Sequence, residues 1–149
     1  MKHYVQKFFC DKEDLPSWEE ILNSLQNDIQ EKREYRELKN FGFVLKNGHL
    51  LDKVEKIRLK IHKTKPEEPI CTAHLFVSLT KFSQTFGKHK DTTDVYYIQA
   101  LGNMQWNIEE ENDIFNYELN EGDMIYIPKQ LYHTPIPIEP RVGISIAFH

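Results

Sequence analysis

The sequence predicts a mainly β fold, a β-sandwich or barrel with a helical cover near the N-terminus. From Ile70 onward, short β-branched and aromatic runs alternate with turn residues, and no helical pattern appears. The 149 residues suit one domain that is long enough to bury a core. We expect residues 1–40 to form an arm and helical cover, and residues 41–149 to form the β core. The strands predicted in the C-terminal part are 71–80, 83–86, 95–99, 104–108, 114–119, 124–127 and 142–148.

The first 40 residues contain the clearest helix signal of the chain. Ser17 is a candidate N-cap, and Glu20 follows three residues later, as in a capping box. Apolar residues then recur at helical spacing, which predicts an amphipathic helix to about Gln30. Before it, residues 1–13 are expected to form an edge strand or an arm. The charged segment 31–39 is expected to extend the helix or to form a second one.

The middle of the chain is harder to assign. Residues 41–45 indicate a strand that ends in a tight turn. Residues 50–65 fit both helical and alternating spacing, and a short helix followed by a strand is favoured. In that strand Arg58 would lie on a solvent-exposed face. Further along, residues 135–137, Pro-Ile-Pro, are expected to form a turn.

Composition excludes several classes of partner. The net charge of -4 and the pI near 6.0 provide no broad basic surface, so nucleic acid is not an expected partner. No apolar run resembles a membrane span or a signal-peptide core, so no membrane partner is expected. Cys10 and Cys71 form no CxxC motif, and neither a disulfide nor a zinc site is indicated. A reducing, cytoplasmic location is therefore the expectation.

Two histidines and one aspartate form the strongest chemical pattern. His89 and Asp91 lie two residues apart, and such side chains on an extended segment project to the same side. A turn at Gly122, an alternating strand and a stop at Pro128 would then deliver His133. This ligand set, which leaves three metal positions open, is typical of non-haem Fe(II), although it also suits Mn, Co or Ni. The alternative is a surface histidine, a turn aspartate and a loop histidine.

The spacing of Gly122, Pro128 and His133 is similar to the second cupin motif, with Gln130 where that motif usually has glycine. Longer segments resemble the JmjC and cupin-like family of Fe(II)/2-oxoglutarate oxygenases, and the resemblance spans about residues 70–149. It implies a double-stranded β-helix, the cupin or jelly-roll fold, with His89, Asp91 and His133 inside the barrel mouth. The segments that carry the JmjC resemblance are 89–106 and 119–128.

The resemblance also implies a reaction. Fe(II) would be the cofactor, and 2-oxoglutarate and O2 would be co-substrates, with decarboxylation to succinate and hydroxylation of a substrate C–H bond. Relatives that modify proteins usually carry further domains, so a small molecule or a small peptide is slightly favoured as substrate. Such folds often dimerise through N-terminal segments. A homodimer through residues 4–9 is one expectation, and a monomer is the other.

The chain departs from the family where the far carboxylate of 2-oxoglutarate binds. Relatives place a lysine on the strand after the Gly102 turn, whereas this chain has Met104, and a thioether cannot pair with a carboxylate. A guanidinium can form a bidentate pair, which makes Arg141 a candidate substitute. Each candidate also has an ordinary structural explanation. The candidates for binding the co-substrate are Arg141, Ser145, Thr80 and Tyr97, with Lys88 and Lys90 as flanking cations.

Two other classes of function stay open. One is a cupin enzyme that uses the same triad without 2-oxoglutarate, such as a dioxygenase, isomerase or lyase, and Met104 favours it. The other is a binding module in which the metal is structural or lost, which the complete triad disfavours. Ligating imidazoles usually need a partner that orients them, and Asp94 and Gln99 are candidates for orienting His89.

Overall fold

Two antiparallel sheets face each other, and two helices cover the larger sheet. The computed structural model describes residues 2–149. Neither helix has the length and apolar character needed to cross a membrane. The helices are α1 (Trp18–Gln30) and α2 (Asp52–His62), and the strands are β1 (Tyr4–Gln6), β2 (Tyr35–Leu38), β3 (Gly42–Leu45), β4 (Thr72–Ser78), β5 (Val95–Leu101), β6 (Met104–Glu110), β7 (Asp113–Leu119), β8 (Met124–Ile127), β9 (His133–Pro137) and β10 (Arg141–Ala147).

The larger sheet has the strand order β1-β8-β5-β10-β4-β3-β2, and the smaller sheet has the order β7-β6-β9. Residues 1–40 supply β1 and β2 to the larger sheet, in addition to α1. Among the described residues the two sheets do not join into a closed barrel. The gap between the β2 edge and the β9 edge is crossed by residues 83–89. There the Gln84 N–H bonds the Lys39 carbonyl, and the Thr85 hydroxyl donates to the Pro135 carbonyl.

Alternation along the strands of the larger sheet separates two apolar clusters. On β5, Tyr96 and Ile98 belong to the cluster that also contains residues of α1 and α2. Val95 and Tyr97 belong to the cluster that contains Trp106 of the smaller sheet. One face of the larger sheet is thus closed by helices, whereas the other face borders both the smaller sheet and a cavity.

The predicted first helix is confirmed. The Ser17 hydroxyl accepts from the Glu20 N–H at 3.2 Å, and the Glu20 carboxylate accepts from the Ser17 N–H at 3.2 Å. The helix ends at Gln30, as expected. The prediction that 31–39 is helical is wrong, because Lys32 turns the chain with a φ of 57° and the following residues form β2.

The predicted helix-to-strand change within residues 50–65 is also wrong, since α2 continues to His62. Its buried residues Val54, Ile57 and Ile61 lie at helical spacing and join the helix-side cluster. Arg58, expected on an exposed face, is buried and donates to the Cys71 carbonyl at 3.1 Å. Tertiary packing of α2 decides between the two periodicities.

Two β predictions in the C-terminal half need correction. Residues 83–86 do not form a strand, because their hydrogen bonds connect two sheet edges instead of a ladder. The Pro-Ile-Pro segment forms part of β9, not a turn. Proline is tolerated there because β9 is an edge strand whose ladder partner is β6 alone. The other predicted strands are present, and Cys10 and Cys71 are both free thiols.

Candidate metal centre and cavity

A cavity of about 540 Å³ lies between the two sheets, and two differently built walls enclose it. We call the first the metal wall; it consists of residues 85–93 together with β9. We call the second the sheet wall; it consists of the cavity-facing residues of β4, β5 and β10. The residues that line the cavity include Phe76, Phe86, His74, His89, Asp91, Tyr97, Trp106, His133, Arg141 and Ser145.

The metal wall brings the three predicted ligands together. One potential ligand atom from each of His89, Asp91 and His133 lies within 4.8 Å of the other two. The Asp91 carboxylate oxygens lie 3.7 Å from His89 Nε2 and 3.3 Å from His133 Nε2. The two imidazole centroids are 4.3 Å apart. Two imidazoles and a carboxylate converging in this way suit a divalent transition metal.

Backbone carbonyls fix the orientation of both imidazoles. His89 Nδ1 lies 2.8 Å from the Gly87 carbonyl oxygen, and His133 Nδ1 lies 2.8 Å from the Leu131 carbonyl oxygen. A carbonyl can only accept, so each Nδ1 carries the proton and each Nε2 lone pair is left for a metal. The donor set therefore fits a metal in both tautomer and position.

The two arms that carry the ligands are tied by main-chain bonds. His89 and His133 exchange two backbone hydrogen bonds of 3.0 and 2.8 Å, and Gln130 N–H donates to the Asp91 carbonyl at 2.7 Å. Gln130, at the usual glycine position, has a φ of 65°, a left-handed conformation that glycine adopts without strain. Gln130 thus adopts the turn conformation that glycine usually provides at this position of the cupin motif.

Burial opposes ionisation of Asp91, but the hydrogen bond and charge of His133 and the charge of His89 hold its pKa below the ordinary value. The carboxylate is therefore anionic at neutral pH, as a metal ligand must be.

Asp94 and Gln99 do not orient His89, so that prediction is wrong. The Asp94 carboxylate instead accepts from Lys129 N–H at 2.9 Å and from the Lys65 ammonium at 3.3 Å. These bonds tie the loop after Asp91 to the segment that leads to His133. Gln99 donates to the backbone carbonyls at residues 101 and 102, each at 3.0 Å. Both residues support the frame around the site without touching an imidazole.

Arg141 lies at the closed end of the sheet wall. Only 4% of its surface is exposed, and it donates to the Ser78 hydroxyl at 3.0 Å and to the Tyr97 hydroxyl at 3.2 Å. No carboxylate in residues 2–149 pairs with its guanidinium. Since a guanidinium has five N–H donors, several remain for a ligand in the cavity. A buried cation without an anionic partner is costly, which favours an anion as its natural ligand.

Met104 and Arg141 meet at the same phenol. The Tyr97 hydroxyl, which donates to Gln99 Oε1 at 2.9 Å, lies 3.9 Å from the Met104 sulfur. Burial raises the pKa of Tyr97, although Arg141 opposes that shift, so the phenol stays neutral. The phenol fits here because Gly143 has no side chain; a Cβ at Gly143 would collide with the Tyr97 ring. A cation from β10 and the Met104 sulfur thus lie against the same hydroxyl.

Trp106 adds a further buried polar group beside the cavity. Its side chain lines the cavity between Tyr97 and His133, at centroid distances of 4.7 and 5.8 Å. Its Nε1 is buried and makes no hydrogen bond within the described chain. Such a donor in a native structure calls for an explanation, and the described chain offers it no acceptor.

The other predicted binding residues divide between the cavity and the surface. Ser145 lines the sheet wall. Thr80 does not line the cavity, and its exposed hydroxyl donates to the Asn40 carbonyl at 3.0 Å. Lys88 pairs with Glu109 at 2.7 Å, and the Lys90 ammonium lies 5.1 Å from the ring centre of Tyr132. We therefore assign neither lysine, nor Thr80, to ligand binding.

Sequence reasoning missed His74 and Phe86 as cavity residues. His74 alternates with buried core residues on β4, which indicates that it lies on the face away from the helix-side cluster. Alternation cannot show what covers that face, because the answer depends on where residues 83–89 cross. Phe86 belongs to that crossing and packs edge-on against Phe76 at 6.0 Å.

The fold is cupin-like, and the triad forms a candidate metal site. A family model described as the JmjC domain matches residues 51–149. The chain belongs to the JmjC domain family.

Solved structures agree on the fold. The chain is similar to Escherichia coli YcfD, a ribosomal oxygenase, in complex with cobalt and succinic acid, with 17% identity, a TM-score of 0.75, and coverage of 99% of this chain and 48% of that chain. The YcfD complex with cobalt and 2-oxoglutarate gives 17% identity, a TM-score of 0.74 and the same coverage. The similarity to these structures confirms the predicted double-stranded β-helix fold. In this chain the two sheets of the described residues do not close into a barrel.

A more distant likeness is the Lactobacillus farciminis oxalate decarboxylase formate complex, with 12% identity, a TM-score of 0.57, and coverage of 79% of this chain and 31% of that chain. This chain spans about half the length of YcfD. No curated protein matches the sequence.

Proposed function

We propose that this chain is an Fe(II)- and 2-oxoglutarate-dependent oxygenase that hydroxylates a C–H bond of a small molecule or a peptide side chain. One observation carries the proposal. The triad and the buried, carboxylate-free Arg141 line the same cavity, so a single dicarboxylate can engage both. Membership of the JmjC domain family agrees with this assignment.

In this proposal His89, Asp91 and His133 hold the metal from one side. The metal, when bound, supplies the positions where the keto acid and O2 react. The chain's own contribution is to present two imidazoles through Nε2, each oriented by a carbonyl bond at Nδ1, and one carboxylate that is anionic at neutral pH. Three protein ligands, not four, leave room for both co-substrates.

Arg141 anchors the far carboxylate of 2-oxoglutarate in this proposal. Its two hydrogen bonds to Ser78 and Tyr97 hold the guanidinium plane in place before the ligand arrives. The keto acid end then faces the triad, and burial of both charges strengthens the pairing.

The YcfD complexes contain cobalt and 2-oxoglutarate or succinic acid, which supports the choice of co-substrate. YcfD is a ribosomal oxygenase, and a peptide side chain that enters the cavity is a compatible substrate here. Because the chain spans about half of YcfD, its whole activity and substrate belong to the proposal.

A second candidate is a cupin enzyme that uses the metal without 2-oxoglutarate. Met104 favours it, because the position that relatives use for a cation is apolar and fully buried. The likeness to an oxalate decarboxylase is compatible with that class. Arg141 is the observation that ranks it second.

An anaerobic titration separates the two candidates. Purified protein receives Fe(II) and then 2-oxoglutarate, and the weak visible charge-transfer band of a chelated keto acid is recorded. We expect a saturable band in the wild-type protein and a much weaker affinity in Arg141→Ala. Fe(II) binding without a band would overturn the proposal in favour of the second candidate.

A further inference from the structure

The sheet wall carries a second polar position, distinct from Arg141. On β10, Ser145 lies four residues after Arg141, which corresponds to roughly 13 Å along an extended strand. Ser145 pairs in register with His74 on β4, and both side chains line the cavity. Exposure rises in the same direction, because Arg141 is buried and His74 is half-buried. Ser145 and His74 therefore lie towards the open mouth of the cavity.

Neither polar group at this position is satisfied by the chain. Within residues 2–149 neither the His74 imidazole nor the Ser145 hydroxyl takes part in a side-chain hydrogen bond, and both residues are half-buried. Burial lowers the pKa of His74, and the charges of Lys46 and His149 lower it further, against the opposing effect of Glu34. The imidazole is thus neutral at neutral pH and can donate one N–H.

The charges around the cavity select the kind of group that this position accepts. Asp91 is the single carboxylate among the described lining residues, and the metal uses it. Glu34, whose charge acts on His74 from outside the lining, is already paired with Lys46. A cationic substrate group at the mouth would therefore meet no unpaired carboxylate, and burying an unpaired charge is costly. A carbonyl oxygen, by contrast, can accept from both His74 and Ser145.

An apolar patch lies next to this position, where Phe76, on β4 two residues from His74, meets Phe86 of the metal wall. Phe86 and Phe76 pack edge-on, and the Phe86 centroid lies 6.1 Å from the His89 centroid. Hydrocarbon placed against these rings would lie beside the metal wall. At about 540 Å³ the cavity is within the size range that buries a drug-sized ligand, so a second ligand can lie beside a five-carbon keto acid.

We propose that His74 and Ser145 form the primary-substrate site, which takes an amide or carboxylate carbonyl oxygen, with the substrate's hydrocarbon against Phe76 and Phe86, and rejects cations. This inference rests on the proposed function, since it assumes that 2-oxoglutarate occupies the Arg141 end.

A matched set of three small probes tests the inference. Hexanamide, hexanoate and hexylamine share one hydrocarbon chain and differ in carrying an amide, a carboxylate or an ammonium group. Each is titrated into protein loaded with Co(II) and 2-oxoglutarate, and binding is measured from the paramagnetic broadening of the probe's proton resonances. We expect saturable broadening with hexanamide, with hexanoate or with both, and none with hexylamine.

Variants locate the binding. His74→Ala and Ser145→Ala are each expected to lower the affinity for the probe about three- to tenfold, because each variant loses one hydrogen bond. His49→Ala is the matched control, because His49 is an exposed histidine outside the cavity lining. Equal affinities in His74→Ala and His49→Ala would overturn the assignment.

Hexylamine binding as tightly as hexanamide, or no probe binding at all to the loaded protein, would also overturn it. Absence of the charge-transfer band with Fe(II) and 2-oxoglutarate is a different result, because it would contradict the proposed function itself. The two failures are distinguishable because the probe titration is interpreted on protein whose co-substrate binding has been verified by that band.

Discussion

The two walls of the cavity are built on different principles. The metal wall consists of an irregular segment and an edge strand, and backbone carbonyls and amides position its side chains. The sheet wall consists of three central strands, and register alone brings Arg141, Tyr97 and Ser145 to one face. The metal wall thus depends on a short local motif, whereas the sheet wall depends on pairing between residues far apart in sequence. Substitutions should affect the two walls in separable ways.

The largest effect is expected from breaking the metal wall. His133→Ala removes a ligand, and we expect the metal affinity to fall by more than the roughly 10- to 100-fold that loss of a ligand's hydrogen-bond partner costs. Isothermal titration with Co(II) measures it, and circular dichroism checks that the fold is retained. His49→Ala is the control. An unchanged affinity in a folded His133→Ala variant would refute the triad.

Breaking the sheet wall at Arg141 should leave the metal site intact. For Arg141→Met we expect 2-oxoglutarate to bind about 10- to 150-fold more weakly, the loss of a charge-assisted pair of about 1.5–3 kcal/mol, with Co(II) affinity unchanged. The thermal stabilisation that 2-oxoglutarate gives to the metal-loaded protein should shrink accordingly. Thr80→Ala, outside the cavity, is the matched control and should retain wild-type affinity. Equal loss in both variants would remove Arg141 from the site.

A smaller change tests the register of the sheet wall. Gly143→Ala places a methyl group against the Tyr97 ring, and overpacking of this kind costs about 1–3 kcal/mol of unfolding free energy. Displacement of Tyr97 would also weaken 2-oxoglutarate binding, because the phenol holds Arg141. Urea unfolding measures the first effect, with Ser145→Ala on the same strand as the control for stability. A neutral Gly143→Ala would mean that Tyr97 can move freely.

The smallest effect is expected at Asp94, whose hydrogen bonds tie the loop after Asp91 to the segment that leads to His133. Burial opposes ionisation of Asp94, but hydrogen bonds from Lys129 N–H and Lys65 hold its pKa below the ordinary value. Because the folded pKa is the lower one, its stabilisation is present above the unfolded pKa of about 3.9 and is lost as the pH falls through the folded value. Asp94→Asn should therefore cost about 1 kcal/mol at neutral pH.

That cost should shrink below about pH 4, where the wild-type carboxylate also becomes protonated. Urea unfolding at several pH values measures it. Asp113→Asn, at an exposed carboxylate at the start of β7, provides the comparison. A cost for Asp94→Asn that is independent of pH would show that the ion pair with Lys65 contributes nothing.

The N-terminal arm, residues 4–9, was predicted correctly as a strand at residues 4–6, but its predicted role in a homodimer is not tested by the structure. Residues 4–6 form the predicted edge strand, and they pair with β8 of their own chain. Phe8 beyond them is 87% exposed. The homodimer through this arm stays a prediction, as does the cytoplasmic location.

The sequence by itself determined the elements whose signals are local. The capping box of α1, the alternation of the central strands, and the pairing of His89 with Asp91 two residues later all depend on neighbours within a few positions. The same holds for the delivery of His133, since the turn, strand and proline that precede it are contiguous. Short-range sterics and hydrogen bonding suffice to specify such features.

Only the tertiary structure decided the features that depend on contact between distant segments. Residues 31–39 and 50–65 each fit two periodicities, and packing against the larger sheet selected β2 and α2. The position of Arg141 in the cavity lining depends on the register of β10 with β4 and β5, whereas Thr80 lies outside the lining. That register brings Arg141 of β10 to the Tyr97 phenol of β5, and Met104 reaches the same phenol from β6 of the smaller sheet. No spacing along the chain encodes this meeting, because it depends on how the two sheets face each other.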